Sequence, residues 1–426
     1  MSNEASEKGP DAKNRAAVPA PASSSPGAPA ARVFVLLFSA YMVARGWRSE
    51  SVLLGLVGLA LFFGPVRRWA ALVALAYYLT PGLGRLGSEP FLAGNHEYLE
   101  ALFLLILALE PGREAAGRAH LGRTVGAIAI ALVFLSGVQK VVHGAYVRGD
   151  FFTQCYAQPT KFSKLFDPFV SVAERDIARD FRGAFGFFTR EVREGVLDMP
   201  PPRPPVVAWV SRSLCWATLA AELLLPWLLL ASCARDRKIG AGLLIAFFAA
   251  VEAAAREWMF GALVLCLLLP VFFERDSAPI GFTTGAGRRS ALVLRALVVL
   301  VWTWPFVHMY LAFAHDLSPW KLAGFGMYTL PARVGALSVE IRQGSQEFRP
   351  RMPRDGSEAE RYEEASYALR NVPFSSAAAR DLALWVQERT PKGALRPEVR
   401  IRATTVRLDR ELDRYRSTMR TWTYAQ

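Results

Sequence analysis

Residues 124–144, TVGAIAIALVFLSGVQKVVHG, form an apolar run that closes with a lysine, Lys140, still inside its own hydrophobic register. A helix rises about 1.5 Å per residue, so Lys140 stands roughly 24 Å along the axis from Thr124, near the far edge of a hydrocarbon core about 30 Å thick. A charge held at that depth is costly and usually functional. Two outcomes are open to it. The ammonium snorkels to the headgroups, or the amine is buried and serves as a base. Ser136, one turn earlier, shares its face.

Outward from this run the same composition continues. Of 426 residues, 52% are hydrophobic and the mean hydropathy is +0.21. The apolar residues gather in long blocks separated by arginine-bearing loops, the pattern of a polytopic membrane protein. A net charge of +13 would point to nucleic acid in a soluble domain. Here the arginines sit in short loops beside apolar spans, where they set orientation, so nucleic-acid binding is excluded. Cys215, Cys233 and Cys266 fall in or beside spans and Cys155 lies in a polar segment, which gives neither a disulfide framework nor a metal ribbon.

Residues 1–30 are rich in Ala, Pro and Ser and read as a disordered tail with no cleavable signal, so the first span directs insertion. Apolar blocks follow at 32–44, 51–66, 69–86, 97–109, 124–144, 206–231, 239–255, 258–273 and 291–314, about eight to nine candidate spans. The first two are short: tilted spans, or a hairpin that does not fully cross. A polar insertion at 145–205 ends in MPPPRPP. A cytoplasmic N-terminus places Arg67, Arg68, Arg113, Arg118, Arg123, Arg235, Arg237, Lys238, Arg275, Arg288 and Arg289 on the cytoplasmic side, as the positive-inside tendency asks. The insertion and residues 316–426 then lie outside a bacterial-type inner or plasma membrane. In the latter, LSVEIRQ and VRIRATTVRLD alternate like strands, while 357–369 and 376–389 read as helices. The expected fold is an all-α membrane bundle, residues 31–315, carrying a small α+β extramembrane C-terminal domain.

With this orientation, ionisable groups collect toward the outer end of the bundle. Asn95 and His96 open the fourth block in GNHEYLE, and Lys140 and His143 close the fifth. Glu222 sits inside the sixth, Glu252, Arg256 and Glu257 surround the next outer turn, and His308 falls in the last. Several spans carrying such groups in one half of a bundle exceed what snorkelling produces. Plainer readings stand beside this one. Asn95 is a good N-cap with Glu97 in its first turn, Glu252 and Arg256 are spaced for an ion pair, and lone histidines near a boundary need no role. The five histidines are too dispersed for a metal centre, and the chain has no HExxH, CxxC, Walker loop or GxSxG elbow.

The run SGVQKVVHGAYVRGDFF, the later ELLLPWLLL ahead of CARDRK, and WKLAGFGMYT after the last span resemble the horizontally transferred transmembrane domain family, which includes the vitamin K-dependent gamma-carboxylases. The similarity covers residues 32–328. It implies that Lys140 is the base that deprotonates reduced vitamin K or a related quinol, and that Asn95 and His96 bind the quinone and support the base, with no metal. It also implies a reaction with dioxygen, removal of a carbon-bound proton from a glutamate-type peptide or small-molecule substrate, and addition of carbon dioxide. Two departures are visible: FFAAVEAAAREW stands where many members carry a histidine, and the large lumenal region that recognises a propeptide has no counterpart. An alternative from the residues themselves is a non-catalytic quinone- or lipid-binding subunit or a transporter, with Glu222, Glu252 and Arg256 lining its pathway.

Overall fold

The computed structural model describes residues 28–83, 85–88, 93–110, 115–158, 162–255, 258–273, 288–314, 335–343, 346–350, 362–363, 365–369, 376–390, 398–409 and 413–425. Its first half holds α1 (Ala28–Arg48), α2 (Val52–Phe62), α3 (Arg67–Leu79), a short turn of helix α4 (Arg85–Ser88), α5 (Asn95–Ala108) and α6 (Ala115–His143). Next come α7 (Phe151–Ala157), a 3-10 segment at Ser163–Phe169, α8 (Val172–Arg190) and β1 (Gly195–Val196). The remaining bundle is α9 (Pro205–Leu228), α10 (Ala234–Ala255), α11 (Trp258–Leu268) with a 3-10 extension, and α12 (Arg288–Ala314). The C-terminal part holds β2 (Leu337–Gln343), β3 (Gln346–Phe348), α13 (Ser376–Arg389), β4 (Glu398–Asp409) and β5 (Arg414–Ala425).

The fold is mainly helical. Among the described residues, five helices have the length and apolar composition to cross a bilayer, namely α1, α6, α9, α10 and α12, and they mark the chain as a membrane protein. Shorter apolar helices stand at other blocks of the expected eight or nine, among them α2 and the Trp258–Phe273 segment. Ser51 caps α2, accepting from Leu54 N–H at 3.4 Å, and Gly64-Pro65 separates α2 from α3. α2, α3 and α5 have 11, 13 and 14 residues, against about 20 for a full crossing. α1 and α2 pack closely at Gly58, where an added Cβ would meet the Val43 backbone nitrogen at 2.5 Å, the small-residue contact that membrane helices use. Residues 28–30, expected at the end of the tail, belong to α1, and 1–27 lie outside the described residues.

α6 is the centre of the bundle. Its Leu121–His143 segment is 72% buried, against 33% in the membrane-length segments of α9, α10 and α12. Its apolar side chains join one large core with Phe34, Phe38, Phe103, Leu107, Leu263 and Leu267.

The insertion and the C-terminal residues, expected as separate outer segments, form one body. A five-stranded antiparallel sheet runs in the order β1-β5-β4-β2-β3, and its first strand comes from the insertion. α13 covers Val339, Ile341, Val399 and Ile401 with Leu382 and Val386. At the far end of the sheet α8 places Phe181, Phe185 and Phe188 on Val406 and Tyr415. Gln158 Nε2 donates to the Tyr415 hydroxyl at 3.0 Å, and Arg203–Asp413 and Arg414–Asp198 are ion paired across the same seam. LSVEIRQ is β2, the expected helix at 376–389 is α13, and VRIRATTVRLD lies in β4. Of the other expected helix, 365–369 is helical and 357–361 lies outside the described residues.

Candidate functional site

Lys140 comes from α6 and Glu222 from α9, two helices packed along much of their length. Lys140 Nζ donates to Glu222 Oε2 at 2.6 Å, to Oε1 at 2.7 Å and to Ser136 Oγ at 2.9 Å. The two charged side chains are 1% and 2% exposed. The snorkelling outcome is therefore not the one adopted. An ammonium has three protons to place, and here the carboxylate and the serine on its own helix face provide for them. The Tyr146 ring adds its face at 5.4 Å from Nζ to the ring centre. Glu222, deep in ELLLP, needs a counter-charge on burial, and Lys140 is it.

The pair stands at the wall of a cavity of about 290 Å³. α10 contributes Phe247, Phe248, Val251 and Glu252, and the insertion contributes Tyr146, Phe152, Phe162 and Leu165. A segment read as polar thus supplies an aromatic roof. Phe151, Phe152 and Phe162 stack edge to face, with ring centres 5.0 to 6.2 Å apart, which holds that roof in shape. Glu252 is buried and lies flat on α11, where Gly261 leaves room for it: a Cβ there would fall 2.4 Å from Glu252 Cγ. One cavity therefore joins Lys140, Glu222 and Glu252.

Chemically, an ammonium fully engaged by a carboxylate has no lone pair to offer. The proton acceptor of the ion pair is the Glu222 carboxylate. Moving one proton across the 2.6 Å hydrogen bond gives the neutral alternative, an amine beside a carboxylic acid. A proton taken from a ligand in the cavity would go to the carboxylate, leaving the ammonium's positive charge to face the ligand anion at the same wall.

The other expected residues are placed differently. Asn95 and His96 begin α5 but do not line this cavity. The N-cap of α5 is Gly94, in extended conformation at φ −77° and ψ 156°, with Asn95 one position further in. Glu97 plays its expected part, accepting from Gly94 N–H at 2.7 Å. Asn95 Oδ1 is buried and has no hydrogen bond among the described residues. His143, half-buried in the last turn of α6, and His308, fully buried on α12, are absent from the cavity lining. Arg256, Glu257 and the WKLAGFGMYT stretch lie outside the described residues.

A second buried polar group was not anticipated. Glu100, fully buried on α5, accepts hydrogen bonds from the Tyr41 and Tyr78 hydroxyls and pairs with Arg45 at 3.3 Å, tying α1 and α3 to α5. Arg45 also stands 4.0 Å from Glu97. A carboxylate three residues after Glu97, inside an apolar helix, was the available signal.

Away from the membrane-length helices, the Ser171 backbone N–H and hydroxyl hold the exposed Glu174 carboxyl below its ordinary value at the start of α8. Burial pushes the Tyr415 hydroxyl well above its own. No protein-family model, curated protein or solved structure matches this chain.

Proposed function

We propose that the Lys140 cavity binds a quinol-type ligand and that the Lys140–Glu222 pair accepts a proton from its hydroxyl, opening the vitamin K-dependent carboxylase-like chemistry that the sequence resemblance implies. The observation that carries this reading is a lysine 1% exposed, bound to one carboxylate, at the wall of a cavity whose other lining, apart from Thr218 and Glu252, is aromatic and aliphatic. The residues suit such a ligand. Flat apolar walls accept a ring, and a coupled acid and base at one wall accept a hydroxyl proton.

When bound with dioxygen and carbon dioxide, a reduced quinone supplies a base strong enough to take a carbon-bound proton from a glutamate-type substrate. The chain's own part is narrower. Glu222 takes the proton, the Lys140 ammonium remains to face negative charge at the same wall, and Phe152 and Phe162 keep water from above. Asn95 and His96 enter as quinone-holding residues through the resemblance alone. A cytoplasmic N-terminus, with the insertion and the sheet outside, belongs to the same proposal and is supported by the arginine-rich loops.

The test uses the full chain in lipid nanodiscs with reduced vitamin K, dioxygen and labelled carbon dioxide. Quinone epoxide and labelled product are expected from the wild type. Glu222→Gln, which removes the proton acceptor, is expected to lower epoxide formation by about 100-fold or more, the usual worth of a positioned base. Epoxide at the wild-type rate in that variant contradicts the assignment.

The position of Asn95 and His96 outside the cavity lining favours a second reading, a quinone-binding subunit or transporter in which Glu252 and Glu222 line the pathway. Binding or flux would then be indifferent to dioxygen and sensitive to Glu252→Gln.

A further inference from the structure

A separate cleft lies at the end of the bundle where α1 begins and α5 finishes. It measures about 160 Å³ and is lined by Ala31, Arg32, Val35, Leu36, Phe62, Arg67 and Glu110. Arg32, Val35 and Leu36 are spaced i, i+3 and i+4, so one face of α1 carries the cation and the apolar wall together. Arg67 is fixed in place: Nε donates to the Leu61 carbonyl at 2.9 Å, and a terminal nitrogen pairs with Glu110 at 3.4 Å. Two guanidinium groups thus face one carboxylate, which leaves one positive charge over.

The apolar side of the cleft opens where a bilayer would meet it, since Leu36 is 55% and Phe62 is 38% exposed. Beside it, Phe63, Val66, Arg68 and Trp69 are exposed at the tip of the α2–α3 hairpin, the aromatic and basic mixture of a membrane interface. About 160 Å³ is far too small for a whole lipid but suffices for a phosphate and the glycerol behind it, with the chains leaving along Leu36 and Phe62.

We propose that this cleft is a binding site for an anionic phospholipid, its phosphate between Arg32 and Arg67 and the first carbons of its chains against Leu36 and Phe62. Guanidinium groups match phosphate in charge and geometry, and basic pockets between membrane helices hold anionic headgroups. The inference does not depend on the reading of the Lys140 cavity.

The test is lipid retention by the purified full chain, measured by native mass spectrometry after equilibration with phosphatidylglycerol and phosphatidylcholine in equal amounts. One phosphatidylglycerol is expected to stay bound in preference. Arg32→Gln, an exposed substitution that leaves the Arg67–Glu110 pair intact, is expected to reduce that retention about fivefold, the worth of one basic residue near an anionic surface. Leu36→Asn is expected to reduce it as well, and excess glycerol phosphate to displace nothing. Equal retention of the two lipids, or retention unchanged in Arg32→Gln, overturns the proposal. Displacement by glycerol phosphate, with Leu36→Asn neutral, overturns the lipid assignment in favour of a soluble phosphate ester.

Discussion

Lys140 and Glu222 carry opposite charges out of water together, and the energetic consequence is asymmetric. Removing one partner strands the other in a medium that cannot solvate it, whereas removing both costs little. Glu222→Leu is therefore expected to destabilise the protein by about 3–5 kcal/mol, and the double variant Lys140→Met with Glu222→Leu to return most of that. Thermal unfolding of wild type, Lys140→Met, Glu222→Leu and the double variant in one detergent checks this. Additive losses would mean that the two side chains are not coupled. Lys140 itself was legible in the sequence, because a lysine inside an apolar register stands out. Its partner was visible as a misplaced acid but not as a partner, since 82 residues separate them and no local spacing connects α6 to α9. Gly261, which makes room for Glu252, carried no signal at all; its meaning appears only once α10 and α11 are side by side.

Among the elements, the Tyr41–Arg45–Tyr78–Glu100 group does for α1, α3 and α5 what the lysine pair does for α6 and α9. It joins helices of which two are too short to rely on a full apolar crossing. Glu100→Leu leaves a half-buried arginine and two buried tyrosine hydroxyls without their shared acceptor, and is expected to cost about 3 kcal/mol or more. Glu100→Gln keeps an acceptor and is expected to cost less. Melting midpoints of the two variants give the order, and equal midpoints would show that the charge of Glu100 is irrelevant. Periodicity read the elements well where it was long, as in α6, or cleanly alternating, as in β2 and β4. It could not give helix lengths, because apolar blocks look alike whether or not Ser51, Gly64-Pro65 or Gly94 interrupts the helix. The N-cap of α5 slipped by one residue for a similar reason: side-chain chemistry favoured Asn95, while the extended backbone is at Gly94.

For the molecule as a whole, the insertion roofs the cavity and is sewn to the C-terminal sheet by β1, by the phenylalanines of α8 and by Gln158 on Tyr415. The sheet is thus mechanically continuous with the roof over Lys140. Tyr415→Ala is expected to remove about 3–5 kcal/mol of aromatic packing and to raise hydrogen exchange in α7 and α8 together. Unchanged exchange in α7 would show that the roof stands without the sheet. Nothing in the sequence announced this union, because a two-residue strand has no periodicity and its partner lies some 220 residues away. Composition did foretell the membrane character, and alternation the strands of the C-terminal part. The cavity arose from the meeting of segments that were each read separately.

The most direct test of the central claim compares wild type with the Lys140→Met, Glu222→Leu double variant, both purified and verified as folded, in an assay of quinone epoxide from reduced vitamin K under dioxygen and labelled carbon dioxide. Epoxide from the wild type and none above background from the double variant is the predicted result. Epoxide from both at the same rate would contradict it.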